Sequence, residues 1–277
     1  MNGRWLRCPE PRPGAALRLV CFPHAGGGAS AFRGWPDLLP PWIELLAVQY
    51  PGREDRFCEP PVTELPVAAR AVAAELAAVD GRPVALFGHS MGGAVAHEVA
   101  LALAAAGRPE PAHLVVSARE PVAHVRPGSV HLGGDAALRA ELVRLGGTSR
   151  ELLDNAELWQ LLAPVLRADY RLIETYRPVP GRRLSCPVTA FAAEDDGELT
   201  VGQAAGWAEA TAGPFALRTF PGGHFYLVPH RGQVVRALAD CLRPAPGPPA
   251  RIPEPPAGDR PPRTAPGHRP TVERGML

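Results

Sequence analysis

Short apolar runs, each too brief for a helix, alternate with segments of helical periodicity along most of this chain. Leu17–Phe22, Ile43–Val48, Val84–Phe87, Leu114–Ser117, Val188–Ala192 and Phe215–Phe220 read as strands. Most lack polar alternation, which fits strands covered on both faces. Helices are expected around Val67–Val79, Met91–Ala106, Gln203–Ala212 and Gly232–Leu242. Such alternation builds a mainly parallel sheet with helices on both sides. One stretch departs from it. Between Ala136 and Tyr176 only helical patterns occur: Leu138, Leu142 and Leu145 share a face, and Gly146–Gly147 closes that helix. Thr148 with Glu151 suggests a capping box. Leu158, Leu161, Leu162, Val165, Leu166, Leu172, Ile173 and Tyr176 then mark a long amphipathic helix, expected to kink at Pro164. An all-helical insertion between sheet strands, over about 136–177, fits either a lid or plain packing.

Composition narrows the partners and the compartment. The 29 basic and 28 acidic residues are interspersed, which argues against nucleic acid or a polybasic membrane contact. The five cysteines, Cys8, Cys21, Cys58, Cys186 and Cys241, are odd in number and scattered, so neither a disulfide framework nor a zinc site is expected. Met1–Glu10 has no signal-peptide pattern, and no apolar run approaches the roughly 20 residues of a membrane helix. A cytoplasmic protein is the expectation. From Pro244 to Leu277 the chain turns Pro-rich and poor in large apolar residues, which predicts a folded domain over 1–243 and a disordered tail over 244–277.

The chemistry centres on Gly88-His89-Ser90-Met91-Gly92-Gly93, placed between an apolar run and an Ala-rich helix. A serine on a tight strand-to-helix turn stands exposed above the sheet, and glycines two residues either side permit the bend. With six serines in the chain, chance supplies about 0.06 such matches. Ser90 is therefore the candidate nucleophile. The new helix aims backbone N–H groups at any oxyanion formed there. Met91 N–H is one candidate donor; Ala25 N–H, on the Gly-rich segment after Leu17–Phe22, is the other. His24 beside it is assigned to loop shape. Strand order then asks for an acid and a histidine downstream. His224, in Pro221-Gly222-Gly223-His224-Phe225, follows a late strand; His230 begins a helix and His268 lies in the tail. Glu194, Asp195 and Asp196 all follow Val188–Ala192, and one carboxylate suffices to orient the imidazole. A free-ester hydrolase and a non-catalytic hydrolase-like binding protein both fit this constellation.

In order and spacing, several segments together resemble the type II thioesterases that accompany polyketide synthases and nonribosomal peptide synthetases. They are Phe22-Pro23-His24-Ala25-Gly26-Gly27, Tyr50-Pro51-Gly52-Arg53, the Ser90 motif, Arg144-Leu145-Gly146-Gly147-Thr148, Leu166-Arg167-Ala168-Asp169-Tyr170 and the His224 segment. The resemblance, over about Leu17–Leu242, implies an α/β-hydrolase fold: a mostly parallel central sheet covered by helices, with a helical lid. It further implies hydrolysis of acyl groups from the phosphopantetheine thiol of an acyl or peptidyl carrier protein, without cofactor or metal. The second residue of the family's Asp-Asp pair serves as the acid, which selects Asp196 and completes a Ser90–His224–Asp196 triad. This chain departs from the family in Ala193 and Gly197 around that pair. It departs again in Ser117-Ala118-Arg119-Glu120, where Ser-Gly is usual, so the pocket mouth is expected to differ. Arg53 is weighed as a phosphate contact against an ordinary ion-paired arginine, and Asp169 as a buried, paired carboxylate.

Overall fold

The computed structural model describes residues 4–125 and 127–243; the stretch expected to form a tail lies outside them. Seven strands form one sheet: β1 (Leu6–Arg7), β2 (Leu17–Phe22), β3 (Ile43–Val48), β4 (Val84–His89), β5 (His113–Ser117), β6 (Val188–Ala193) and β7 (Phe215–Phe220). Their spatial order is β1-β3-β2-β4-β5-β6-β7. All neighbours are parallel except β1, which runs antiparallel against β3 with Leu6 opposite Val48. β1 was not legible, because two residues carry no periodicity. What ties this edge down is non-local: the Trp5 and Leu6 amides donate to Glu75, at 2.7 and 3.0 Å.

The unbroken apolar runs mean what a doubly covered sheet requires. Every residue of β2 and β3 is buried. Because side chains alternate across a strand, neighbours serve opposite cores. Leu86 packs with α1 (Leu65–Ala77) and α2 (Met91–Ala105), among Val72, Leu76, Val95 and Val99. Phe87 faces the other way, toward Phe32, Trp35, Phe191, Val234 and Leu238. The charged residues inside β2 and β3 are paired: Arg18 meets Glu44 at 3.0 Å and Asp80 at 2.7 Å.

Between β5 and β6 lies the helical insertion: α3 (Asp135–Leu145), α4 (Arg150–Asp154) and α5 (Ala156–Glu174). Its own small core gathers Leu138, Leu142, Leu153, Trp159, Ala163, Leu166 and Tyr170. Gly146 ends α3 in the left-handed conformation, φ 78°. The cap of α4 is Ser149, whose hydroxyl accepts from Leu152 N, rather than Thr148; the glycine pair delays the next helix by one residue. α5 runs unbroken through Pro164. Pro164 and Gln160 both lie on the exposed side, where water can take the carbonyl bond that proline leaves open. After β6 the expected single helix is split, with α6 (Val201–Ala204) continuing as a 3-10 helix over Ala205–Ala210. Its start, a reciprocal Thr200–Gln203 capping box, is a signal that the sequence carries and periodicity overlooks. α7 (Arg231–Cys241) closes the second core. Among the described residues no helix is long and apolar enough to cross a membrane, and Cys21, Cys58, Cys186 and Cys241 form no disulfide.

Candidate active site

The turn from β4 into α2 is tight enough to force Ser90 to φ 54°, ψ −121°, a region that costs a side-chain-bearing residue about 1–3 kcal/mol. Two neighbours make the bend possible. A Cβ on Gly88 would fall on the Gly92 carbonyl, and one on Gly92 on the Phe22 carbonyl, so backbone passes where side chains would sit. Ser90 N donates to Ser117 O at 2.8 Å, tying the bend to the next strand.

His224 reaches the same point from the loop after β7, which Gly222 turns with φ 97°. The imidazole is buried, with Nε2 3.0 Å from Ser90 Oγ and Nδ1 3.0 and 3.1 Å from the two oxygens of Asp196. A carboxylate only accepts, so Nδ1 carries the proton and Nε2 is free to accept from the serine hydroxyl. Asp196 is buried and also accepts from Glu198 N at 2.9 Å. Asp195 is exposed, its amide engaged by Gly222 O. Of the three acids after β6, Asp196 alone is placed against the imidazole.

Ala25 and Met91 line the same cavity of about 350 Å³ as Ser90 and His224, and the lid residues Leu142, Tyr170 and Ile173 form its far wall. The segment carrying Ala25 is pinned from a distance. Gly26 N donates to Asp169 Oδ2 at 2.7 Å. Arg53 grips that carboxylate with both Nη atoms, at 2.6 and 2.8 Å, and donates to Gly27 O at 3.0 Å. Arg53 is thus a buried ion-paired residue, spent on the loop rather than offered to a ligand. Sequence patterning suggested that Asp169 was buried and paired; that its partners were Arg53 and Gly26 had no local signal.

Two further histidines stand beside the triad. Burial, reinforced by the charges of His224 and Arg53, pushes the His24 imidazole down to about 4. Its ring packs edge-on against Phe225, 4.9 Å between centroids. His24 is neutral at neutral pH and serves as a wall. His89 is buried and held well below its usual value by desolvation, then by His224 and His24. Its Nδ1 meets Ser117 Oγ at 2.9 Å, which in turn meets the Tyr226 hydroxyl at 2.6 Å. One residue, Ser117, therefore links the serine turn to the histidine loop through both its carbonyl and its hydroxyl. No local pattern marks this chain of bonds. Among the described residues, no group of three or more His, Cys, Asp or Glu is placed to hold a metal ion.

With serine, imidazole and carboxylate in one hydrogen-bonded line, the site can deprotonate a hydroxyl for attack on a carbonyl carbon. A family model described as a thioesterase domain matches residues 17–242. The chain is 43% identical over 241 residues to a probable cadicidin biosynthesis thioesterase of Streptomyces griseus, covering 87% of this chain and 66% of that one. It is 41% identical to the thioesterase PikA5 of Streptomyces venezuelae, with 92% of each covered. Among solved structures it resembles the type II thioesterase BorB from the borrelidin biosynthetic cluster, with a TM-score of 0.79 and 43% identity over 86% of this chain and 98% of that one.

Proposed function

This chain belongs to the thioesterase family, and from that premise we propose that Ser90, His224 and Asp196 hydrolyse acyl thioesters held on the phosphopantetheine arm of acyl or peptidyl carrier proteins. The reading rests above all on the Ser90–His224–Asp196 hydrogen-bonded line opening into a lidded cavity. His224 Nε2 takes the serine proton as Oγ attacks the thioester carbonyl. The Ala25 and Met91 amides receive the oxyanion, and the tetrahedral centre collapses as the C–S bond breaks and His224 Nε2 passes its proton to the departing phosphopantetheine sulfur. Water, deprotonated by the same nitrogen, then releases the acid and restores Ser90. Asp196 keeps the imidazole in the productive tautomer and stabilises it when protonated. A thiolate leaves readily, so little acid assistance is needed. Cys21, Cys58, Cys186 and Cys241, held in no disulfide, support a reducing, cytoplasmic setting.

Ser90→Ala should abolish both hydrolysis of an acyl-carrier thioester and covalent labelling by a fluorophosphonate, with circular dichroism unchanged. Turnover by that variant at the wild-type rate overturns the assignment. Asp196→Asn should keep labelling detectable while lowering kcat by about 10³–10⁴. If free esters of equal chain length are cleaved as fast as carrier-bound thioesters, the site belongs to a small-molecule esterase instead.

A further inference from the structure

Arg119 has no use within the fold that its position explains. It follows β5 on a turn held at both ends: Ala118 N donates to Phe191 O at 2.9 Å, and Trp207 Nε1 donates to the Arg119 carbonyl at 2.7 Å. Its stem rides on Gly93, where an added Cβ would stand 3.1 Å from Arg119 Cβ. Gly93 lies three residues past Ser90, and the Arg119 side chain lines the Ser90 cavity. That side chain is only 13% exposed, yet Nε has no partner and the ion pair to Glu120 is long, 3.5 Å. Burial lowers the guanidinium from its usual value. A desolvated cation with a donor unfilled and a long ion pair is costly unless something arrives to bond it.

The other charges of the cavity are already engaged. Glu141 and Glu198 both hold Arg144. Glu174 accepts from Val130 N and His131 N at 2.9 Å and meets His131 Nδ1 at 2.5 Å. With Glu120 these make four carboxylates against two guanidinium groups, those of Arg119 and Arg144. A further carboxylate on the substrate would be repelled, whereas a neutral oxygen needs only a donor. Resting on the thioesterase reading, we propose that Arg119 selects acyl chains carrying a neutral hydrogen-bond acceptor near the thioester, namely 3-hydroxyacyl and 3-oxoacyl groups, over their deoxy counterparts. The substrate oxygen would accept from the guanidinium, and a pocket built to bond such an oxygen rejects the analogue without it.

The test compares kcat/KM for butyryl, 3-hydroxybutyryl and malonyl phosphopantetheine thioesters, each normalised to its alkaline hydrolysis rate. Wild-type protein should favour 3-hydroxybutyryl over butyryl by roughly tenfold or more. Arg119→Met should bring that ratio close to one, and Arg119→Lys should restore part of it, with the change chiefly in KM. A wild-type ratio near one, an unchanged ratio in Arg119→Met, or preference for malonyl overturns the proposal. The wild-type panel decides even if the variants fail to fold, as a thermal melt would reveal. Turnover of all three without discrimination defeats this inference alone; turnover of none defeats the thioesterase reading and this inference with it.

Discussion

Ser90 sits in a backbone conformation that a serine ordinarily avoids, and the surrounding atoms leave it no other. That strain is local in sequence, which is why the Gly-x-Ser-x-Gly pattern exposes it. Gly92→Ala drives a methyl into the Phe22 carbonyl; because backbone cannot retreat as a side chain can, we expect loss of several kcal/mol in chemical denaturation, or no folded protein. Arg53 and Asp169 illustrate the opposite case. Each was visible alone, but a bond between residues 116 positions apart leaves no mark in either neighbourhood. Arg53→Met strands Asp169, 1% exposed, without its cation. The expected cost is about 3–5 kcal/mol in urea unfolding, with a fall in kcat as the Gly26 segment loosens.

The insertion behaves as two regions. Near its end α5 is fastened to the body: Asp169 to Arg53 and Gly26, and Tyr176 just beyond it to Glu98 at 2.6 Å. α3, α4 and the start of α5 rest chiefly on the insertion's own seven-residue core. Hydrogen exchange should therefore be faster over 135–160 than over 165–174, and slowest in β2–β5; uniform protection across the insertion would contradict this division. Helical spacing revealed the insertion because Leu138 and Leu142 share a face of α3, and Leu166 and Ile173 a face of α5. It could not reveal β1, which is decided by its distant partners β3 and Glu75. The choice between Asp195 and Asp196 was equally closed to periodicity. It turns on which side chain enters the sheet end and which faces solvent.

Across the whole molecule, acid should be the principal threat. His24, His97 and His113 are each pushed down to about 4 by burial, whereas in the unfolded chain an imidazole titrates near 6.5. Below about 6.5 the unfolded chain therefore binds protons that the folded one refuses. Stability is full above that value and declines as pH falls toward 4, by roughly 1–2 kcal/mol per imidazole between pH 7 and 5. Melting temperatures across that interval check the sign. His97, whose two ring nitrogens lack partners beside Trp207, offers the cleanest subtraction: His97→Leu should flatten the decline. The parallel sheet and its coverings were readable because its central strands β2, β3 and β4 are mostly apolar along their length. The polar network at its upper end was not, because hydrogen bonds answer to geometry rather than to composition. The Asp169 carboxylate, finally, belongs to the insertion but governs a loop near the amino terminus. Anyone who transplants a new lid onto this scaffold to alter acyl preference must bring an acid to that spot, or replace Arg53 in the same step. Specificity and catalytic competence are inherited here as one package.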